Sequence, residues 1–295
     1  MTANSQTVQE RLVGESPAHS IRVYQPIVFY GANELGFRLY PDSRPRNLEI
    51  APLQKGLVLT FQGAELIEEG AGFGVPIAKY DENTFFSSTA DVYLEKKTEE
   101  SVTTRKVFFL DAVSKKQVRG ASVNDSFYEL LHETFERAYL RRQSLNSVFD
   151  WTMRLRQVLG VSTQFVRVKP KGAVAVTYEC SSHLVEISVD LSALDKAGAE
   201  EILINNEQGA SIFRRYSDSD GAVLHDRQIG AWAKVSAREA AFSDAHNKVA
   251  FVLENRSNAL LIRGREQIKD RFSWAGLTYA LNPRVSNFKY RIKFA

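Results

Sequence analysis

Alternation between apolar and polar residues is the main signal in the first part of the chain. From Ile21 to Val123, short β-branched and aromatic runs are separated by Gly, Pro, Asn and Asp, a pattern typical of antiparallel strands. No helical pattern lies between these runs, which argues against βαβ units and a parallel sheet. We expect strands over residues 21–30, 56–61, 75–80, 84–94, 102–113 and 117–123.

The pattern changes at Ser126. Ser126 and Glu129 have the spacing of a capping box, in which each side chain bonds a free backbone N–H at a helix start. Apolar residues then recur at helical spacing, and a second helical pattern ends at Gly160, a residue that suits the left-handed position after a helix. Together these signals predict a helical hairpin insertion around 126–159.

Strand patterns return after the predicted hairpin. The clearest lies at the end of the chain, where Phe288, Tyr290, Ile292 and Phe294 alternate with charged residues, as in a strand with one buried and one exposed face. We expect further strands over 163–169, 173–180, 184–189, 201–205, 229–235, 249–254, 259–263 and 272–281. Short helices are predicted at 193–199 and 238–245.

Composition and repeats bound the architecture. The 295 residues are 44% hydrophobic and 25% charged, as in ordinary globular proteins. Without an internal repeat or a Pro/Gly/Ser-rich linker, we expect a tail over 1–20 and one domain over 21–295. Two β domains, 21–125 and 160–295, are the alternative. The predicted fold is mainly β, a large antiparallel β-sandwich whose architecture resembles the supersandwich of mutarotase-like proteins; the resemblance is one of architecture only.

Charge and cysteine content limit the partners. The chain has 38 Lys and Arg against 35 Asp and Glu, and the charges of the predicted helical hairpin are interleaved rather than in one stripe. This near balance and interleaving argue against nucleic-acid binding. No apolar run approaches the roughly 18 residues of a membrane span, and no secretory signal is evident, so we predict a cytoplasmic protein without a membrane partner. The single cysteine, Cys180, and the absence of metal or nucleotide motifs predict no metal or other cofactor. A homo-oligomer is compatible with the sequence.

Three polar runs could form a ligand site. In the first, Glu68 and Glu69 precede Gly70, Gly72 and Gly74. Glycines at this spacing fit either a tight turn or a loop that lets a ligand lie against bare backbone beside two carboxylates. Only the second alternative gives Glu68 and Glu69 a functional role.

The second run extends from Asn205 to Tyr216 and includes Glu207, Arg214 and Arg215. Amides, a carboxylate, guanidinium groups and aromatic rings are the groups that recognise sugar hydroxyls and carboxylates. A solvated polar hairpin on a sheet surface is the alternative.

The third run, residues 263–274, contains Arg265, Arg271 and Trp274 among acidic residues, which indicates partly buried ion pairs or the floor of a polar pocket. Upstream of it, His225 adjoins Asp226, and such a carboxylate can orient an imidazole for acid–base chemistry if the two side chains meet.

Two hypotheses for function follow. The first is a carbohydrate-active or carbohydrate-binding protein, or one that takes another small anionic or polyhydroxyl ligand; catalysis would need two carboxyl groups about 5–10 Å apart. Its acid–base candidates are Glu68, Glu69, Glu207 and His225. Its ligand-binding candidates are Arg214, Arg215, Tyr216, Trp232, Arg265, Arg271 and Trp274. The second hypothesis is a non-catalytic interaction or assembly module whose helical hairpin supplies the partner surface.

Overall fold

A computed structural model describes residues 20–31, 33–41, 53–81, 83–118, 121–122, 161–230, 232–268 and 272–295. The predicted helical hairpin and the predicted tail, except for residue 20, lie outside these ranges. Nearly all regular structure within them is antiparallel β sheet; the one helical element there is the four-residue 3-10 turn Asp226–Ile229. No helix in the described ranges is long and apolar enough to cross a membrane.

Within the described ranges the chain forms twenty-one strands. The first nine are β1 Ile21–Arg22, β2 Ile27–Tyr30, β3 Leu35–Leu39, β4 Val58–Phe61, β5 Ala64–Glu65, β6 Gly72–Tyr80, β7 Thr84–Lys97, β8 Ser101–Val118 and β9 Ala121–Ser122. The others are β10 Val161–Arg167, β11 Ala173–Ser181, β12 Leu184–Asp190, β13 Ala199–Gln208, β14 Arg215–Asp218, β15 Val223–His225, β16 Ala233–Lys234, β17 Glu239–Ser243, β18 Ala250–Glu254, β19 Ala259–Ile268, β20 Phe272–Leu281 and β21 Asn287–Phe294.

Most predicted strands are confirmed, and β20 coincides with the predicted range 272–281. The two predicted short helices are wrong. Residues 193–198 form turns with a bridge from Leu194 to Gly172, and 239–243 is strand β17, which pairs with β14 and β18 on its two sides. That two-sided pairing outweighs the helical propensity of its alanines. The strand predicted at 229–235 is also largely wrong, since the 3-10 turn and the two-residue β16 share this segment.

The strands form one seventeen-stranded antiparallel sheet and a small sheet of β2 to β5. In the large sheet, one run of paired strands is β1, β7, β8, β11, β12, β21, β18, β17, β14 and β15. A second run is β6, β13, β20, β19 and β16. The two runs meet where β6 pairs with β7. A large antiparallel sheet of this kind fits a β-sandwich.

Aromatic side chains fill the space between the two runs of strands. Phe73 on β6 packs edge-on against Phe251 on β18, with ring centroids 5.2 Å apart. The ring centroids of Tyr279 on β20 and Tyr290 on β21 are 4.8 Å apart. Because all four side chains are fully buried and belong to strands from both runs, the main core lies between the runs, as sheet-on-sheet packing requires.

The predicted alternation along the last strand is confirmed. Phe288, Tyr290, Ile292 and Phe294 are buried, and the residues between them are exposed. Although β21 is near the end of the chain, it is an interior strand, paired with β12 on one side and β18 on the other.

Strands from both sides of the predicted hairpin pair with each other. Before it in sequence, β8 pairs with β10 and β11, and β6 pairs with β13. The arrangement as one domain over 21–295 remains our proposal, and these pairings support it over two separate domains.

Candidate functional site

Strand β13 contains an unusual run of four buried polar residues, Asn205 to Gln208. Opposite it, β6 contains an irregularity in register, where Gly74 adopts a φ of 78° that favours glycine. The Asn206 Oδ1 atom accepts hydrogen bonds from the Gly74 backbone N–H at 3.1 Å and from the Tyr290 hydroxyl at 2.7 Å. Gly72 and Gly74, two of the three glycines that follow Glu69, thus have the positive φ angles that glycine accommodates. Asn206 forms its hydrogen bonds within the core rather than with a ligand.

Glu207 lies on the other face of β13 from Asn206, because side chains alternate along a strand. Its Oε2 atom accepts a hydrogen bond from the Ala71 backbone N–H at 3.2 Å, and the residue is only 8% exposed. Burial is the main cause that raises its pKa, from 4.5 to about 7; the Ala71 hydrogen bond opposes the rise and the charge of Glu266 adds to it. A carboxyl group with this pKa can donate a proton near neutral pH.

The register places Glu266 and Trp274 on the same face as Glu207. Glu207 is opposite Gly276 on β20, and Gly276 is opposite Gly264 on β19. Trp274 and Glu266 form the next pair on that face, two residues along their strands, and the Trp274 Nε1–H donates to Glu266 Oε2 at 3.2 Å. The strands that carry the two carboxyl groups have one strand between them and lie about 9–10 Å apart across the sheet, and Glu266 is offset from Glu207 by two residues along its strand.

Glycine leaves room for an aromatic pair on this face. An ideal Cβ atom at Gly264 would lie 2.6 Å from the Trp274 ring, so this glycine allows the indole to approach bare backbone. Trp232 packs on Trp274 with ring centroids 5.6 Å apart and is 41% exposed. We call Glu207, Glu266, Trp232, Trp274 and Gly264 the Glu207 face.

Glu68 belongs to a second cluster, at the end of β13. Its carboxylate accepts hydrogen bonds from the Ser211 hydroxyl and backbone N–H and from the Ser273 hydroxyl. Burial opposes ionisation, but these hydrogen bonds and the nearby charge of Arg265 keep the pKa of Glu68 below its usual value. The same carboxylate lies against Gly209, where a side chain would collide with it.

Arg265 links this cluster to the turn before Trp232. Its Nη2 atom donates to the Ala210 carbonyl at 2.8 Å and lies 3.4 Å from Asp226 Oδ1. Asp226 also accepts two hydrogen bonds from Arg214, at 2.8 and 3.0 Å. Those bonds are the leading reason that the pKa of Asp226 is lowered, although burial opposes them.

Other predicted site residues are placed elsewhere. Tyr216 is fully buried and donates its hydroxyl hydrogen to Asp218 at 2.9 Å. On the same strand, Arg215 donates to Asn247 at 2.6 Å. Glu69 is exposed in the turn before β6, and His225 is exposed on β15. Arg271 lies outside the described residues.

Sequence reasoning missed Glu266 and the role of Asp226. Glu266 lies two residues from Gly264 on the same face of β19 and opposite Trp274 on β20. The sequence alone does not show that Glu266 faces Trp274, because this depends on the register between the two strands. Asp226 was considered as a partner of His225, whereas its carboxylate binds Arg214, twelve residues away. Arg214 and Asp226 lie at the two ends of the hairpin that β14 and β15 form, and opposite charges at such positions are a signal that could have suggested that pair.

Comparisons with known proteins place the chain in no family. No protein-family model matches it, and no curated protein matches it. Among solved structures, the alpha-N-acetylgalactosaminidase NagBb from Bifidobacterium bifidum, in complex with GalNAc, is similar with a TM-score of 0.45 and 10% sequence identity. The match covers 91% of this chain and 35% of that one, so the chain spans about a third of that enzyme. Within the described ranges, no three His, Cys, Asp or Glu side chains group as metal ligands would.

Proposed function

We propose that the protein is a carbohydrate-active or carbohydrate-binding protein and that its ligand lies on the Glu207 face. The observation that carries the proposal is the placement of a buried carboxyl group, Glu207, beside a tryptophan pair on one sheet face. Tryptophan rings present flat apolar surfaces with a polar N–H at one edge, which suits the mixed apolar and hydroxylated faces of a sugar ring.

Two carboxyl groups with different surroundings suit acid–base chemistry on such a ligand. Glu207, with its pKa near 7, is the proton donor in this proposal. Glu266, which is held by the Trp274 N–H, is the second carboxyl group. Their strands are about 9–10 Å apart across the sheet, with one strand between them, and hydrolysis of a glycosidic bond uses two carboxyl groups on either side of that bond.

The site residues that the sequence predicted have different roles in this proposal. Glu207, Trp232 and Trp274 form the ligand site, and Trp232 is its exposed part because Glu207 and Trp274 are each only 8% exposed. Tyr216, Arg215, Glu69 and His225 are left out. The supersandwich form of the fold and a cytoplasmic location stay predictions. The alternative, an assembly module that uses the helical hairpin, also stays a prediction because the hairpin lies outside the described residues.

A glycan array tests the proposal. We expect the wild-type protein to retain a restricted set of glycans, and the Trp232→Ala variant to bind them at least about tenfold more weakly because the half-exposed ring is lost. Tyr30→Ala is the control, since Tyr30 is an exposed aromatic residue in the small sheet, on β2. Equal loss in the two variants, or no retained glycan, would contradict the proposed function.

A further inference from the structure

The segment that carries Trp232 has an unusual backbone. Asp226, Gly230 and Trp232 have φ angles of 47°, 71° and 58°, in the left-handed region that large side chains rarely occupy. Glycine or asparagine would suit such positions in a turn that served structure alone. A tryptophan there, 41% exposed, points to a role for the ring at the surface.

Two arginines fix this segment to its neighbours. The Arg265 backbone N–H donates to the Gly230 carbonyl at 2.9 Å, and Arg263 Nε donates to the Ile229 carbonyl at 3.3 Å. Immediately after Trp232, strand β16 pairs with β19. Trp232 is thereby brought beside Gly264, where the absence of a side chain lets its backbone approach.

Asp226 is the side-chain anchor of the same segment. Its backbone N–H donates to the Arg214 carbonyl at 2.8 Å, and its carboxylate receives the Nε and Nη2 donors of Arg214 in a two-point contact. Arg265 approaches the same carboxylate from β19, and only 5% of its side chain is exposed. A ligand therefore has little access to the Arg265 guanidinium, whereas the Arg214 side chain is 52% exposed and has two of its five donors bound to Asp226.

From these contacts we infer that Arg214, Arg265 and Asp226 are positioning residues that hold Trp232 over Trp274, and that the two arginines do not contact the ligand themselves. The inference rests on the proposed function, because it takes the aromatic pair as the ligand surface. It assigns the arginines a different role from the one predicted by their sequence context. Bidentate Arg–carboxylate geometry supplies the orientation that such a role needs.

The first arm of the test needs no ligand. Indole rings 5.6 Å apart couple their electronic transitions, and this gives a paired positive and negative band in circular dichroism that Trp232→Phe removes. We expect Asp226→Asn and Arg214→Gln to remove it as well, with the urea midpoint of unfolding retained. Glu186→Gln is the matched control, since Glu186 on β12 also holds two cations, Lys289 and Arg291. A full-strength band in both Asp226→Asn and Arg214→Gln would overturn the inference.

The second arm measures affinity for the glycan that the array retains most strongly. We expect Asp226→Asn to weaken binding about tenfold, and to add no further loss in a Trp232→Ala background, because both changes remove the same contact. An additive loss in the double variant would show that the charged groups contact the glycan, which overturns the inference but leaves the proposed function standing. If Asp226→Asn and Arg214→Gln remove the paired circular-dichroism band but the wild-type protein binds no glycan, the positioning role is supported and the proposed function is contradicted.

Discussion

Replacing Asn206 with leucine is expected to lower the free energy of unfolding by about 2–6 kcal/mol. Asn206 is fully buried, and its Oδ1 atom is the acceptor for both the Gly74 N–H and the Tyr290 hydroxyl. Leucine has a similar volume but no acceptor, so two buried donors would lose their partner, each at a cost of about 1–3 kcal/mol. Urea unfolding followed by tryptophan fluorescence measures the loss.

Tyr290→Phe provides the control for this prediction. In the Tyr290→Phe background the hydroxyl is already absent. The loss in free energy of unfolding that Asn206→Leu causes should therefore be about 1–3 kcal/mol smaller there than in the wild-type protein. A loss below about 1 kcal/mol in the wild-type background would mean that Asn206 does not accept the hydrogen bonds of Gly74 and Tyr290.

The Glu207→Gln variant is expected to be more stable than the wild-type protein at high pH, by about 3 kcal/mol. Burial raises the pKa of Glu207 from 4.5 to about 7, so the folded protein binds this proton more tightly than the unfolded chain does. The stability that the proton provides is fully present below about pH 4.5 and is lost as the pH rises through about 7. Glutamine keeps an oxygen that can accept the Ala71 N–H but cannot ionise.

Urea unfolding of both proteins over a range of pH tests this expectation. The two free energies should agree at low pH and diverge between about pH 4.5 and 7 as the wild-type carboxyl ionises. Glu200→Gln is a suitable control, because Glu200 is an exposed glutamate on the same strand. Parallel curves for wild type and Glu207→Gln would contradict the raised pKa.

Much of the strand content was predictable from sequence because alternation and turn residues are local signals. The last strand shows this best, since its four buried residues follow strict alternation. Tertiary pairing explains the errors. The segment 239–243 has helix-forming residues, but neighbouring strands bond it on both sides. Similarly, β13 extends to Gln208, beyond the predicted end at 205, because β6 and β20 cover its polar residues and pair with them.

The candidate site was only partly predictable for the same reason. Glu207, Trp232 and Trp274 stood out by residue type, but their shared surface depends on a register between strands that are far apart in sequence. Residue type misled at Tyr216, which is buried. Arg214 also looked like a ligand contact because its neighbours are polar, yet its partner is Asp226. Chain order alone carries little information about such long-range pairs.

The proposed site is tested most directly by calorimetric titration of the retained glycan at about pH 5 and about pH 9, on either side of the Glu207 pKa. If a protonated Glu207 donates a hydrogen bond to the glycan, wild-type affinity should fall at least about tenfold between these conditions. The affinity of Glu207→Gln, which keeps a neutral donor, should stay unchanged. The same pH dependence in both proteins would contradict Glu207 as the proton donor of a carbohydrate site.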